Sequence, residues 1–153
     1  AEDCLKKTSE VIKKCYDELI LNKVELKGTI LKPNMILPGN NSKEKISSEE
    51  IAELTLKCLK DSVPTEVPGI AFLSGGQSET EATENLNSIN KSNKTNFIMT
   101  YSYGRALQQG ALKFWSKNTQ DIKGTQNTFN HRANMCSLAA QGKWSRDIEK
   151  KNN

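Results

Sequence analysis

Three short stretches of this sequence carry residue types able to do chemistry. In Gly28-Thr29-Ile30-Leu31-Lys32-Pro33-Asn34-Met35, a lysine stands where an alternating run stops at a proline. If the face that Lys32 shares with Ile30 and Gly28 lines a barrel interior, desolvation or neighbouring charge favours the neutral amine and makes it a usable nucleophile. The ordinary alternative is a strand-end lysine snorkelling to water. In Leu73-Ser74-Gly75-Gly76-Gln77-Ser78, two glycines lie between a run of strand character and a capped helix. Backbone N–H groups there can approach an anion closely, the helix N-terminus adds partial positive charge, and phosphate is the natural ligand. Read alone, Ser-Gly-Gly is also a common turn. Ser102-Tyr103-Gly104-Arg105 repeats the arrangement with a guanidinium able to hold phosphate through two parallel bonds. An arginine at a helix N-terminus opposes the helix dipole at a cost of about 0.3 kcal/mol or more unless an anion is present, which favours the phosphate reading.

The elements that must position these residues are legible from periodicity. From Asp3 to Asn22, Leu5, Ile12, Cys15, Tyr16, Leu19 and Ile20 recur at helical spacing. The period then changes, and Val24, Leu26, Gly28, Ile30 and Lys32 share one side of an expected strand ending at Pro33. A polar loop follows over Pro38-Gly39-Asn40-Asn41-Ser42-Lys43. Ser47-x-x-Glu50 reads as a capping box opening a helix with Ile51, Leu54, Cys58 and Leu59 on one face, and Pro64 and Pro68 bracket its exit. Gly69-Ile70-Ala71-Phe72-Leu73-Ser74 is a nearly all-apolar strand of the kind parallel sheets bury on both sides. Ser78-x-x-Glu81 is a second capping box, for a helix to about Asn90; Asn96 to Tyr101 is a third strand, and helical pattern resumes over 105–116 and 121–141. The order α, β, α, β, α, β, α, α predicts an α/β parallel architecture built from right-handed crossovers. A doubly wound sheet and a (β/α)₈ barrel both fit, and three strands alone cannot close a barrel, which takes eight and about 250 residues.

Composition narrows the class. The chain has 153 residues, 26% charged and 35% hydrophobic, with 22 Lys+Arg against 18 Asp+Glu, which fits one soluble domain. No apolar run approaches a membrane span, and Ala1-Glu2-Asp3-Cys4 lacks signal-peptide character, so a cytoplasmic protein without membrane contact is expected. Cys4, Cys15, Cys58 and Cys136 are far apart and accompany a single histidine, which is neither a zinc pattern nor a disulfide framework. Sequons at Asn40, Asn90 and Asn93 carry little weight in an Asn-rich chain. Residues 105–153 carry a net +6 and residues 1–104 a net −2. Lys113, Lys117, Lys123, Arg132, Lys143 and Arg146 are dispersed among polar residues and helix periods, so solvated helix faces are expected rather than a nucleic-acid surface.

Four segments together resemble a known family. Gly28 to Met35, Gly69 to Glu79, Asn85-Leu86-Asn87-Ser88-Ile89-Asn90-Lys91, and Tyr101-Ser102-Tyr103-Gly104-Arg105-Ala106-Leu107-Gln108 closely resemble class I fructose-1,6-bisphosphate aldolases in order and spacing. Lower similarity continues through Asn134 to Ala139 and Gln141-Gly142-Lys143. The resemblance implies a TIM (β/α)₈ barrel of which residues 1–153 are the C-terminal part, covering about the last three strands of one domain. It implies that Lys32 forms the Schiff base, that Ser74, Gly75, Gly76, Ser102, Gly104 and Arg105 hold the substrate phosphate nearest the ketone, and that no metal or other cofactor is required. The implied reaction is reversible cleavage of fructose 1,6-bisphosphate to dihydroxyacetone phosphate and glyceraldehyde 3-phosphate by a cytoplasmic glycolytic enzyme, in a family that is usually homotetrameric. The rival expectation is a non-catalytic phosphate-binding or interaction fragment that holds cytoskeletal or other acidic partners through its basic end. The departures are in extent and detail. The family's acid/base residues and further lysines lie on earlier strands and have no counterpart here. The end Lys150-Lys151-Asn152-Asn153 lacks the family's long tail and terminal tyrosine, Lys27 replaces a frequent glutamate, and the loop from Ile36 to Asn41 differs.

Overall fold

The computed structural model describes residues 1–39 and 41–151; Asn40, with the first sequon, and Asn152-Asn153 of the short tail lie outside the described residues. Helix α1 (Glu2–Leu21) buries Leu5, Ile12 and Tyr16, whereas Cys15 and Ile20, expected on the same face, are exposed. The helix ends in a Schellman-type cap: Lys23 adopts a left-handed φ of 56°, and the N–H groups of Lys23 and Val24 return to the carbonyls of Ile20 and Leu19 at 2.9 and 3.0 Å. That cap corrects the expected strand from Val24 to Lys32. The Val24 N–H is consumed by α1, and Leu26–Gly28 coils into a 3₁₀ turn that the Thr29 hydroxyl closes on the Leu26 carbonyl at 2.7 Å. Only Ile30–Leu31 remains as strand β1.

Helix α2 (Ser48–Ser62) starts at Ser47, whose hydroxyl accepts from the Glu50 N–H at 3.2 Å; the reciprocal half of the expected capping box does not form among the described residues. Strand β2 (Gly69–Phe72) leads into helix α3 (Glu79–Ser92), where the box is complete: Glu81 N–H to Ser78 Oγ at 3.3 Å and Ser78 N–H to Glu81 Oε2 at 2.9 Å. Strand β3 (Ile98–Tyr101) is followed by α4 (Arg105–Lys117), α5 (Ile122–Ala140) and a short α6 (Arg146–Lys151) that periodicity did not mark.

Among the described residues the strands form one parallel sheet in the order β1-β2-β3, with Leu31 beside Ile70 and Phe72 beside Tyr101. Its two faces differ sharply. Ile70, Phe72 and Met99 are buried under the helices with Leu86 and Ile89 of α3 and Met135 of α5. Truncating the fully buried Phe72 to alanine is expected to cost about 3–5 kcal/mol. The other face is uncovered, with Ile30 and Ile98 69% and 74% exposed and Thr100 exposed between them and Ser102.

One basic residue departs from the solvated-face expectation. Arg132 of α5 is buried, hydrogen-bonding the Thr83 hydroxyl on α3 at 3.1 Å and ion-pairing with Glu149 of α6, which also accepts from Trp144 Nε1 at 2.8 Å. Burial alone would raise the Glu149 carboxyl, but the hydrogen bonds from Arg132 and Trp144 outweigh it and hold the group below its ordinary range. This network fastens α6 to the helical layer. Among the described residues no helix is long and apolar enough to cross a membrane.

Candidate active site

Every residue singled out for chemistry lies just beyond the carboxyl end of a strand, the end at which α/β folds assemble ligands. Lys32 directly follows β1, and the ladder continues past it, because the Leu73 N–H donates to the Pro33 carbonyl at 3.0 Å. Alternation therefore sets Lys32 with Ile30 on the uncovered face, where it is exposed. The segment after it is pinned on both sides. Asn34 Nδ2 donates to the Thr8 hydroxyl of α1 at 3.2 Å, and the Ile36 N–H donates to the Thr55 hydroxyl of α2 at 2.9 Å.

After β2 the chain reverses in a tight turn. The Gln77 N–H donates to the Ser74 carbonyl at 3.0 Å, and Gly75 and Gly76 have φ of 58° and 85°, the signature of a type I′ turn that L side chains resist at both central positions. A Cβ on Gly76 would meet nothing within 4 Å, so glycine here serves backbone conformation and leaves the turn open to an approaching ligand. The turn is held from beneath by Gln77, whose Nε2 donates to the same Ser74 carbonyl at 2.8 Å and whose Oε1 accepts from the buried Asn85 Nδ2 at 2.7 Å.

After β3 the Ser102 N–H donates to the Phe72 carbonyl at 2.8 Å, which aligns this loop beside the diglycine turn. Tyr103 anchors it by donating its buried hydroxyl to the Ala82 carbonyl at 2.9 Å, and burial pushes that phenol far above its ordinary range. Gly104 is the N-cap of α4, with no side-chain capping bond, no acidic residue in the first turn, and open space where a Cβ would stand. Arg105 is exposed at that helix start and belongs to none of the ion pairs among the described residues. Helix α4 is fixed to α3 by the Gly110 N–H, which donates to Glu79 Oε1 at 2.8 Å. The result is an uncapped, positively charged helix end with free backbone donors beside a left-handed diglycine turn, an arrangement that can receive a phosphate.

The residues singled out in the sequence lie at one end of the sheet, and the side chains that support them were not singled out. Gln77, Glu79 and Asn85 stood inside the resemblance segments without a role, and the available signal for Asn85 was a polar residue at an α3 position that helical spacing turns inward. A cleft of about 800 Å³ also flanks the turn, towards Lys45 and Arg146. Glu44, Glu49, Glu81 and Glu84 line it as well, and Arg146 is engaged by Glu84 at 3.0 Å, so it does not favour an anion.

The family profile described as "Glycolytic: Fructose-bisphosphate aldolase class-I" matches residues 1–153. The chain belongs to the class-I fructose-bisphosphate aldolase family. It is 44% identical over 149 residues to cytosolic fructose-bisphosphate aldolase 4 of Arabidopsis thaliana, a match covering 97% of this chain and 38% of that protein. A probable class 1 fructose-bisphosphate aldolase of Xylella fastidiosa is 43% identical over 141 residues, 90% of this chain and 41% of that one. Among solved structures, the fructose-bisphosphate aldolase of Plasmodium falciparum, in complex with TRAP and a small-molecule inhibitor, superposes with a TM-score of 0.90 at 39% identity, covering 94% of this chain and 42% of its own. The chain thus spans about two fifths of the length of the relatives it matches. Its parallel sheet and helices are those of an aldolase.

Proposed function

We propose that residues 1–153 form the C-terminal part of a single (β/α)₈ barrel, and that this barrel cleaves fructose 1,6-bisphosphate reversibly through a Schiff base on Lys32. The observation that carries the reading is a juxtaposition at one end of the sheet: Lys32 after β1, the left-handed diglycine turn after β2, and the uncapped α4 start with Arg105 after β3. The substrate phosphate beside the ketone is held by the Ser74, Gly75 and Gly76 turn, by Ser102 and Gly104, and by the Arg105 guanidinium, which brings the ketone carbon to Lys32. The Lys32 amine attacks that carbon, and loss of water leaves an iminium. The electron pair of the breaking carbon–carbon bond flows into this iminium, glyceraldehyde 3-phosphate departs, and an enamine remains. Protonation of the enamine and hydrolysis release dihydroxyacetone phosphate and regenerate the amine. The iminium is the electron sink, so no metal takes part; groups outside residues 1–153 move the protons.

The same reading has the enzyme in the cytoplasm, as the name of the Arabidopsis relative states for that protein, and assembled as a homotetramer. A role in holding acidic or cytoskeletal partners draws on the net +6 of residues 105–153. Residues 1–153 alone leave two sheet edges unpaired and one face wet, and at about 25 cal/mol per Å² a few hundred Å² of wetted apolar surface forfeits several kcal/mol. The isolated chain is therefore expected to be loosely packed and without turnover. In the completed barrel, Lys32→Met is expected to abolish cleavage while leaving inorganic phosphate binding intact. A Lys32→Met enzyme that cleaves at the unsubstituted rate would overturn the assignment.

A further inference from the structure

We infer that Gln77 is a positioning residue, whose carboxamide holds the phosphate-receiving turn at a set distance from the segment carrying Lys32. The inference rests on the phosphate reading above and adds what keeps the two reactive loops in register.

A turn with glycine at both central positions has no side chains of its own to hold its shape, and glycine is the most freely rotating residue. The backbone bond from Gln77 to the Ser74 carbonyl, at 3.0 Å, is one restraint. The Gln77 Nε2 bond to the same carbonyl, at 2.8 Å, is a second. The amide cannot serve equally well in its flipped orientation. Asn85 Nδ2 donates to Gln77 Oε1 at 2.7 Å, which leaves Nε2 as the end that faces the turn, and Asn85 is only 6% exposed on α3. The same Nε2 also lies 3.7 Å from Met35 Sδ. Met35 is buried, three residues past Lys32, next to the Ile36 N–H that Thr55 secures. The thioether is a weak acceptor, so this contact is the lesser of the two that Nε2 makes and rests on the burial of Met35. Among the described residues Gln77 is the one side chain that hydrogen-bonds both loops. Its amide nitrogen is engaged by the Ser74 carbonyl and by Met35, and it acts through them.

The test uses the barrel that contains residues 1–153, with inorganic phosphate as probe, followed by the amide NMR signals of Gly75 and Gly76. A second readout is the rate at which saturating dihydroxyacetone phosphate is trapped on Lys32 by borohydride. Gln77→Met keeps the length of the side chain and loses both amide bonds. Phosphate affinity is expected to fall about tenfold and trapping to slow. Asn85→Leu, neutral and similar in size, removes only the bond that orients the amide and is expected to move both readouts the same way by less. Lys113→Ala should move neither. If Gln77→Met and Asn85→Leu lower the unfolding temperature yet leave phosphate affinity and trapping rate of the folded protein unchanged, Gln77 is structural only and the inference is wrong. If Gln77→Met fails to fold, Asn85→Leu decides by the same criterion. If the unsubstituted barrel gives no phosphate shifts at Gly75 and Gly76, the phosphate reading itself falls, and this inference with it.

Discussion

The junctions β2–α3 and β3–α4 are built from similar parts and finished in opposite ways. Both pass from a strand through glycine into a helix. At the first, Ser78 and Glu81 close a full capping box, Glu79 and Glu81 place acid in the first turn, and Gln77 and Asn85 tie down the turn itself. At the second, Gly104 caps nothing with a side chain, the first turn has no acid, and Arg105 adds positive charge to an end that is already positive. A helix start that satisfies its own N–H groups gains stability and gives up donors, whereas one left uncapped keeps them for a ligand. The first junction supplies shape and the second supplies charge.

The largest expected effect belongs to the charge-bearing junction. Arg105→Ala removes a charge-assisted contact worth about 1.5–3 kcal/mol, so a phosphate monoester should bind roughly ten- to a hundredfold more weakly by calorimetry, with thermal stability unchanged. Lys113→Ala, on an exposed stretch of the same helix, should change neither, and equal losses from the two would erase the distinction. The next effect belongs to the shaped junction. Gly75→Ala forces a Cβ into a φ of 58°, with an expected loss of about 1–2 kcal/mol in denaturant unfolding. Gly104→Ala, at a φ of −92° with nothing within 4 Å, meets no left-handed strain and should cost less, within about 1 kcal/mol of the parent, from replacing glycine at an N-cap. If both glycines prove equally sensitive, the contrast between the junctions is wrong.

Ser78→Ala, which opens the capping box, should cost about 1 kcal/mol through loss of a side-chain cap, an interaction that Gly104 does not make at the other junction. The smallest effect is a pH dependence. Hydrogen bonds from the Ser78 backbone and side chain hold the Glu81 carboxyl below its ordinary 4.5. A carboxyl depressed on folding contributes stability that is complete above its unfolded value and is lost as pH falls through the folded one. The stability difference between the parent and Glu81→Gln should therefore be constant above about pH 5 and shrink on acidification below 4.5. A difference that does not change down to pH 3 would mean that the carboxylate is not what closes the box.

Much of this arrangement was legible in the sequence because it is local. The Ser78-x-x-Glu81 spacing, the apolar run from Gly69 to Phe72, and glycines directly after strands each report on a few neighbouring residues. Features set by distant partners were not legible. Arg132 looked like a solvated helix residue because Glu149, seventeen positions away, and Thr83, forty-nine away, meet it only in the folded chain. The strand expected from Val24 failed for a different reason. Lys23 takes the left-handed cap position usually given to glycine, and no residue type there announced a turn. Gln77 and Asn85 were visible as residues, but their joint task depends on α3 passing beneath the turn.

On the proposed function, Lys32 is the nucleophile and the two junctions beside it deliver a phosphorylated ketone. The most direct measurement is reduction with borohydride in the presence of dihydroxyacetone phosphate, on the barrel that contains this chain, followed by peptide mapping. One stable adduct is expected on the peptide carrying Lys32-Pro33-Asn34-Met35, weakened by Arg105→Ala and unaffected by Lys113→Ala. An adduct on another lysine, with Lys32 unlabelled, would contradict it.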